Sequence, residues 1–135
     1  MATLTVDTKT RVYKDLDLNF IANPVTGDVS RVTGDDAVIR SVRNLIFTNF
    51  YERLFHPEIG SGVRGLLFEN ITPVTLINLK NAIELVIRNF EPRVRLDQVV
   101  TQSTADNNTV QALIRFYIQN NTSPTEISVF LQRVR

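Results

Sequence analysis

The sequence predicts an α+β fold: two main helices packed on a small antiparallel sheet formed mostly by the C-terminal strands. Three observations predict it. Between Leu76 and Phe90, behind a threonine and a proline, apolar residues recur at helical spacing. Between Val110 and Ile118 they recur at every second residue. A second run of that period, Ile127, Val129 and Leu131, follows one turn later. Helices in the middle and strands gathered at the end make an α+β arrangement.

Taken in order, residues 1–12 read as an extended arm and 13–135 as a single domain. From Tyr13 to Phe20 the alternation puts Leu16, Leu18 and Phe20 on one side of a half-buried strand, with Asp15, Asp17 and Asn19 opposite. Asn23-Pro24 and Thr26-Gly27-Asp28 are turn sequences, and Thr33-Gly34-Asp35-Asp36 offers capping oxygens before an apolar-periodic run. A partly buried helix is expected over Asp36 to Phe50, with Val38, Val42, Leu45 and Asn49 on one stripe, Ile39, Ile46 and Phe50 on its flank, and Arg40 and Arg43 outside it. Gly60-Ser61-Gly62 reads as a flexible loop before a short apolar turn, Val63 to Glu69.

The long helix is the clearest element. Thr72 is placed to cap it, Pro73 fills the first position where a missing N–H is harmless, and Ile71 and Leu76 have the spacing of a hydrophobic staple. Pro92 forbids its continuation and pushes Glu91 out of the helical region. Val94 and Leu96 start an alternation that continues weakly to Thr101, and a polar connector from Ser103 ends in Asp106-Asn107-Asn108. The strand over Val110, Ala112, Ile114, Phe116 and Ile118 follows, then a turn from Asn120 to Pro124 and the last strand.

Composition narrows the chemistry. The 135 residues include no cysteine, which removes disulfides, thiolate catalysis and cysteine-based zinc sites. Net charge is +1, so a nucleic-acid backbone gains no bulk attraction. No apolar run is long enough to span a membrane, no signal-peptide core opens the chain, and folding in a cytoplasm is the expectation. Of 15 basic residues only Lys9, Lys14 and Lys80 are lysines; the rest are arginines, the cation suited to ordered contacts with protein.

Few motifs point to catalysis. Gly60-x-Gly62-x-x-Gly65 matches a dinucleotide fingerprint literally, but no strand precedes it and no βαβ unit follows, so a loop is the better reading. His56 is the only histidine and has no partner at metal-binding spacing. No metal or other cofactor is expected. Glu58 and Glu69 are the one carboxylate pair beside bulky apolar neighbours, and surface roles for both are the default. Glu91-Pro92-Arg93 leaves two readings open: a helix stop, or an acid and a fork-shaped cation held at a rigid corner for docking.

Three ordered motifs carry a resemblance. Arg53-x-Phe55-x-Pro57-Glu58-x-Gly60, Leu67-Phe68-Glu69-Asn70-Ile71-Thr72-Pro73 and Ile87-Arg88-Asn89-Phe90-Glu91-Pro92-Arg93 resemble the baseplate wedge and sheath-initiator family of contractile-tailed phages. That family was once labelled tail lysozyme and is shared with the type VI secretion baseplate. The likeness runs from about Tyr13 to the C-terminus. It implies a structural subunit of the virion tail baseplate, assembled in the host cytoplasm, with repeated copies in a ring around the tail tube. Its implied partners are other wedge proteins, the sheath protein and tube proteins, with no nucleic acid and no membrane. The resemblance assigns wedge docking to Glu91, Pro92 and Arg93, strand pairing with the sheath to Ile127, Val129, Leu131 and Arg133, and structural motif positions to Phe55, Pro57, Glu58, Gly60, Phe68 and Glu69. The old label implies the rival reading, a peptidoglycan-degrading enzyme using Glu58 and Glu69.

Overall fold

The computed structural model describes residues 12–104, 109–119 and 121–132. The elements are β1 (Lys14–Leu16), β2 (Arg31–Thr33), α1 (Asp35–Phe47), α2 (Val63–Leu67), α3 (Pro73–Phe90), β3 (Val94–Ser103), β4 (Thr109–Ile118) and β5 (Pro124–Gln132). They fall into one unit up to Ala37 and a second from Val38. The α+β class and the antiparallel C-terminal sheet are those the sequence predicts. Arg133, residues 1–11 of the N-terminal arm and the Asp106-Asn107-Asn108 connector lie outside the described residues.

The first unit is a small antiparallel ribbon. Lys14 pairs with Thr33 and Leu16 with Arg31, and an isolated bridge joins Ala22 to Val29. Gly27 and Gly34 turn it at φ +70°, a region costly to residues with a Cβ. The expected strand over Tyr13 to Phe20 shrinks here to three residues, and its expected buried face is open: Leu16, Leu18 and Phe20 are 54–68% exposed. Asp17 is buried instead, because its carboxylate accepts the Asn19 N–H at 3.1 Å and turns the chain. Alternation overstated the length of the strand, since Leu18 and Asn19 form a turn and Phe20 has a φ of 52°, and it assigned the wrong buried face.

In the second unit the sheet order is β3-β4-β5. Val110, Ala112, Ile114, Phe116 and Ile118 of β4 are all buried, as their alternation predicts, and Ile127, Val129 and Leu131 of β5 join them. The register sets Ile114 against Ile127, Ala112 against Val129 and Val110 against Leu131, so two strands share one apolar face. On β3 the register slips between Leu96 and Gln98. That bulge moves the inward set from Val94 and Leu96 to Val99 and Thr101, which explains why alternation weakens there in the sequence.

α3 packs along β3, where the Thr101 hydroxyl donates to the Leu76 carbonyl at 2.9 Å. Its start is as expected: the Thr72 hydroxyl accepts the Thr75 N–H and Pro73 occupies the first turn. Leu79, Ile83, Val86 and Ile87 form its buried stripe. α1 buries Val38, Val42, Leu45 and Ile46 and stops at Phe47, three residues before the expected end.

The cause of that stop corrects the flexible-loop reading of Gly60-Ser61-Gly62. Ser61 crosses the end of α1, its hydroxyl donating to the Ile46 carbonyl at 2.5 Å and its N–H to the Thr48 carbonyl at 2.8 Å. Two carbonyls that a helix end leaves unsatisfied are thereby capped from outside. Gly60 is buried in the same crossing, and a Cβ there would lie 2.5 Å from the backbone of Asn49 and Phe50. Glycine is required by close approach of two chain segments, not for flexibility.

Candidate functional site

The Glu91-Pro92-Arg93 corner is built by the stop of α3. The Glu91 N–H still donates to the Ile87 carbonyl, and the Val94 N–H donates back to the Glu91 carbonyl, so the chain reverses into β3 within three residues. The Glu91 carboxylate is 2% exposed and satisfied on both oxygens. Arg93 donates from Nε to Oε1 at 2.6 Å and from Nη2 to Oε2 at 2.8 Å, and the Ser41 hydroxyl of α1 donates to Oε2 at 2.5 Å. Burial pushes the Glu91 carboxyl up; the Arg93 and Ser41 hydrogen bonds with the Arg93 charge outweigh it and hold the group below the ordinary carboxylate range. β4 is stitched to the same corner, since the Gln119 N–H donates to the Arg93 carbonyl and its side-chain amide to the Pro92 carbonyl. The acid therefore faces inward, and Pro92 with the outer part of Arg93 forms the surface of the corner.

The two edges of the three-stranded sheet differ. β3 is interrupted by its bulge at Asp97, a device that spoils an edge for pairing. β5 stays in unbroken register with β4 from Pro124 to Gln132. It carries no Lys or Arg, and its one charge, Glu126, is paired with Arg115 at 2.7 Å.

Two hydrogen bonds fix which β5 groups face that edge. The Thr109 carbonyl accepts the Thr104 N–H, and the Gln119 N–H donates to the Arg93 carbonyl, so odd-numbered residues of β4 turn their main chain toward β3. Even-numbered residues turn theirs toward β5. Their partners Thr125, Ile127, Val129 and Leu131 are consumed inside the sheet, and the N–H and C=O groups of Glu126, Ser128 and Phe130 point outward. The structure thus divides the work between neighbours. Ile127, Val129 and Leu131 bury their side chains and hold β5 in place; the residues between them carry the hydrogen-bonding edge.

The remaining motif residues lie around the α1–α2 connection. Phe55 is 94% exposed at φ 70°, and Tyr51 is 86% exposed at φ 68°. The Tyr51 N–H donates to the Pro57 carbonyl at 3.0 Å, which closes the loop between them. Glu58 and Gly60 line an apolar groove of about 350 Å³ with Phe50, Leu85, Val86 and Phe90. Phe68 is 53% exposed just after α2, and Glu69 is exposed beside it. Glu58 remains 60% exposed and meets His56 at 3.0 Å; hydrogen bonds from its own backbone N–H and from His56 hold its carboxyl below the ordinary range. A general acid needs the opposite shift. Among the described residues no cluster of three His, Cys, Asp or Glu could hold a metal, and no helix is long and apolar enough to cross a membrane.

Sequence reasoning missed three contributors: Ser41, Ser61 and the outward trio of β5. Ser41 is fifty residues from Glu91, so no local signal links them. The outward trio follows from alternation only once the register to β4 is known.

The chain as a whole is similar to known proteins. The profile of the family described as baseplate wedge protein gp25 matches residues 32–123. The baseplate wedge protein gp25 of Enterobacteria phage T4 is 33% identical over 116 residues, 86% of this chain and 87% of that protein. Among solved structures, a chain of the anti-feeding prophage baseplate superposes with a TM-score of 0.64 at 27% identity, covering 92% of this chain and 88% of its own. A chain named as a tail lysozyme from Geobacter sulfurreducens superposes with a TM-score of 0.69 at 20% identity, over 75% of this chain and 92% of its own, a likeness of fold alone.

Proposed function

This chain belongs to the baseplate wedge protein gp25 family, a structural component of contractile tails, and from that premise we propose that it docks on neighbouring wedge proteins and templates the first sheath ring by adding a sheath strand to β5. One observation carries the reading: β5 is a regular edge with outward groups at Glu126, Ser128 and Phe130, no lysine or bulge within it and its one proline, Pro124, at its first position, while the opposite edge is bulged. An unguarded edge of this length is an aggregation hazard unless something is meant to pair with it. Copies held in a ring around the tail tube would offer such edges in a fixed arrangement, so that the first sheath subunits bind at high effective concentration and lose less ordering entropy. Docking on the wedge is assigned to the Glu91-Pro92-Arg93 corner, with Pro92 and Arg93 making contact and Glu91 holding Arg93 in its pose. Assembly would take place in the host cytoplasm, with tube proteins adjoining.

The test is Ser128→Pro in an assembling particle. Proline removes an outward N–H without removing a bond to β4, which an edge strand tolerates. Baseplates should form and sheaths should not. Normal sheaths on such particles would refute strand templating. Cell-wall hydrolysis by the purified protein, lost in both Glu58→Gln and Glu69→Gln, would replace the structural reading with the enzymatic one.

A further inference from the structure

A groove of about 210 Å³ opens where β5 ends, lined by Ile46 and Phe47 of α1, Val63 and Leu67 of α2, and Leu131 of β5, with Arg64 alongside. Its volume exceeds the roughly 150 Å³ of an apolar cavity that holds one benzene ring. Phe47 is 53% exposed, so the groove is open to an incoming side chain.

Its position gives it meaning. A strand added beyond β5 would bond to the outward groups of Glu126, Ser128 and Phe130, placing its intervening residues opposite Ile127, Val129 and Leu131. Side chains opposite one another in a sheet lie on the same face. The residue opposite Leu131 would therefore project onto the inner face, the face on which Leu131 itself lines the groove.

We propose that this groove is the specificity pocket of the β5 edge, selecting an extended partner strand that carries one large aliphatic or aromatic residue opposite Leu131 and an acidic residue near it for Arg64. The inference rests on the strand-addition reading and goes further, because main-chain hydrogen bonds alone accept almost any strand in any register. A side-chain pocket at one end supplies the register: a slip by one residue turns the anchor to the solvent face, and a slip by two carries it out of the groove. The committed occupant is a sheath strand. Arg64 argues for an acid on it by charge complementarity.

The experiment measures binding of labelled sheath subunits of the same particle to the purified full chain by fluorescence anisotropy. Three variants are compared: Ser128→Pro, Phe47→Glu and Arg64→Glu. Phe47 and Arg64 are exposed, so both substitutions leave the core intact. Phe47→Glu should weaken binding by roughly tenfold or more, as loss of a buried anchor does. Arg64→Glu should weaken it by about threefold or more and reduce its salt dependence. If Ser128→Pro abolishes binding while both groove variants match the parent, the groove proposal is wrong and strand addition stands. If Ser128→Pro binds normally, or the parent does not bind, strand addition itself fails and the groove proposal with it. Weakening by the groove variants with no effect of Ser128→Pro would make the groove a separate docking site and overturn its role in register.

Discussion

The Arg93 guanidinium grips both oxygens of the Glu91 carboxylate, at 2.6 and 2.8 Å, across a single proline. The pair is unequal: Glu91 is 2% exposed and Arg93 24% exposed. Removing either member therefore has different consequences.

Arg93→Ala leaves a buried carboxylate with Ser41 as its remaining side-chain donor, and should cost about 3 kcal/mol or more. Glu91→Gln frees an arginine that can reach water, and should cost about 1–2 kcal/mol. Urea denaturation of the two single variants and the double variant checks this, with a double variant no worse than Arg93→Ala alone. Wedge incorporation is then read in Arg93→Lys, which keeps the charge and loses the fork. Normal assembly by a variant that folds would reduce the triplet to a structural corner.

The same pair sets an acid limb of stability. The folded state holds the Glu91 carboxyl below its unfolded value, so its contribution is fully present above the ordinary carboxylate range and is lost as pH falls through the folded value. Stability should thus decline between about pH 5 and pH 2 more steeply in the parent than in Glu91→Gln. Thermal midpoints across that window test it; parallel curves would mean that Glu91 titrates normally.

Gly60 and Gly65 look alike in the sequence and should respond in opposite directions. Gly60→Ala drives a methyl group against the backbone of Asn49 and Phe50 and should destabilise by about 1–3 kcal/mol. Gly65→Ala, inside α2 with nothing within 4 Å, should be neutral or stabilise by up to about 1 kcal/mol. Chemical denaturation of the pair decides whether close approach or flexibility explains Gly60.

Ser61→Ala should cost about 1–2 kcal/mol by leaving the Ile46 carbonyl without its side-chain donor. Hydrogen exchange should quicken in the last turn of α1 and stay unchanged in β4. Uniform acceleration would mean that the crossing does not act locally.

Regular elements were legible because their signals are local. The Thr72 cap, the Pro73 start, the Pro92 stop and the five inward residues of β4 all follow from spacing along the chain. The first strand was misread because Leu16, Leu18 and Phe20 show the same alternation on an open ribbon as on a buried one. Of the candidate site, the corner was visible as a motif, but its inward direction was not.

By itself the sequence determined the fold class, the buried face of β4 and β5, the limits of α3 and the exclusion of cysteine chemistry, since each depends on residue type and short-range period. Tertiary structure alone decided that Glu91 bonds to Ser41, that Gly60 yields to a neighbouring backbone, and that Glu126, Ser128 and Phe130 own the open edge. Those depend on which segments meet. Contact between residues far apart in sequence is set by packing of the whole second unit and leaves no periodic trace in the chain.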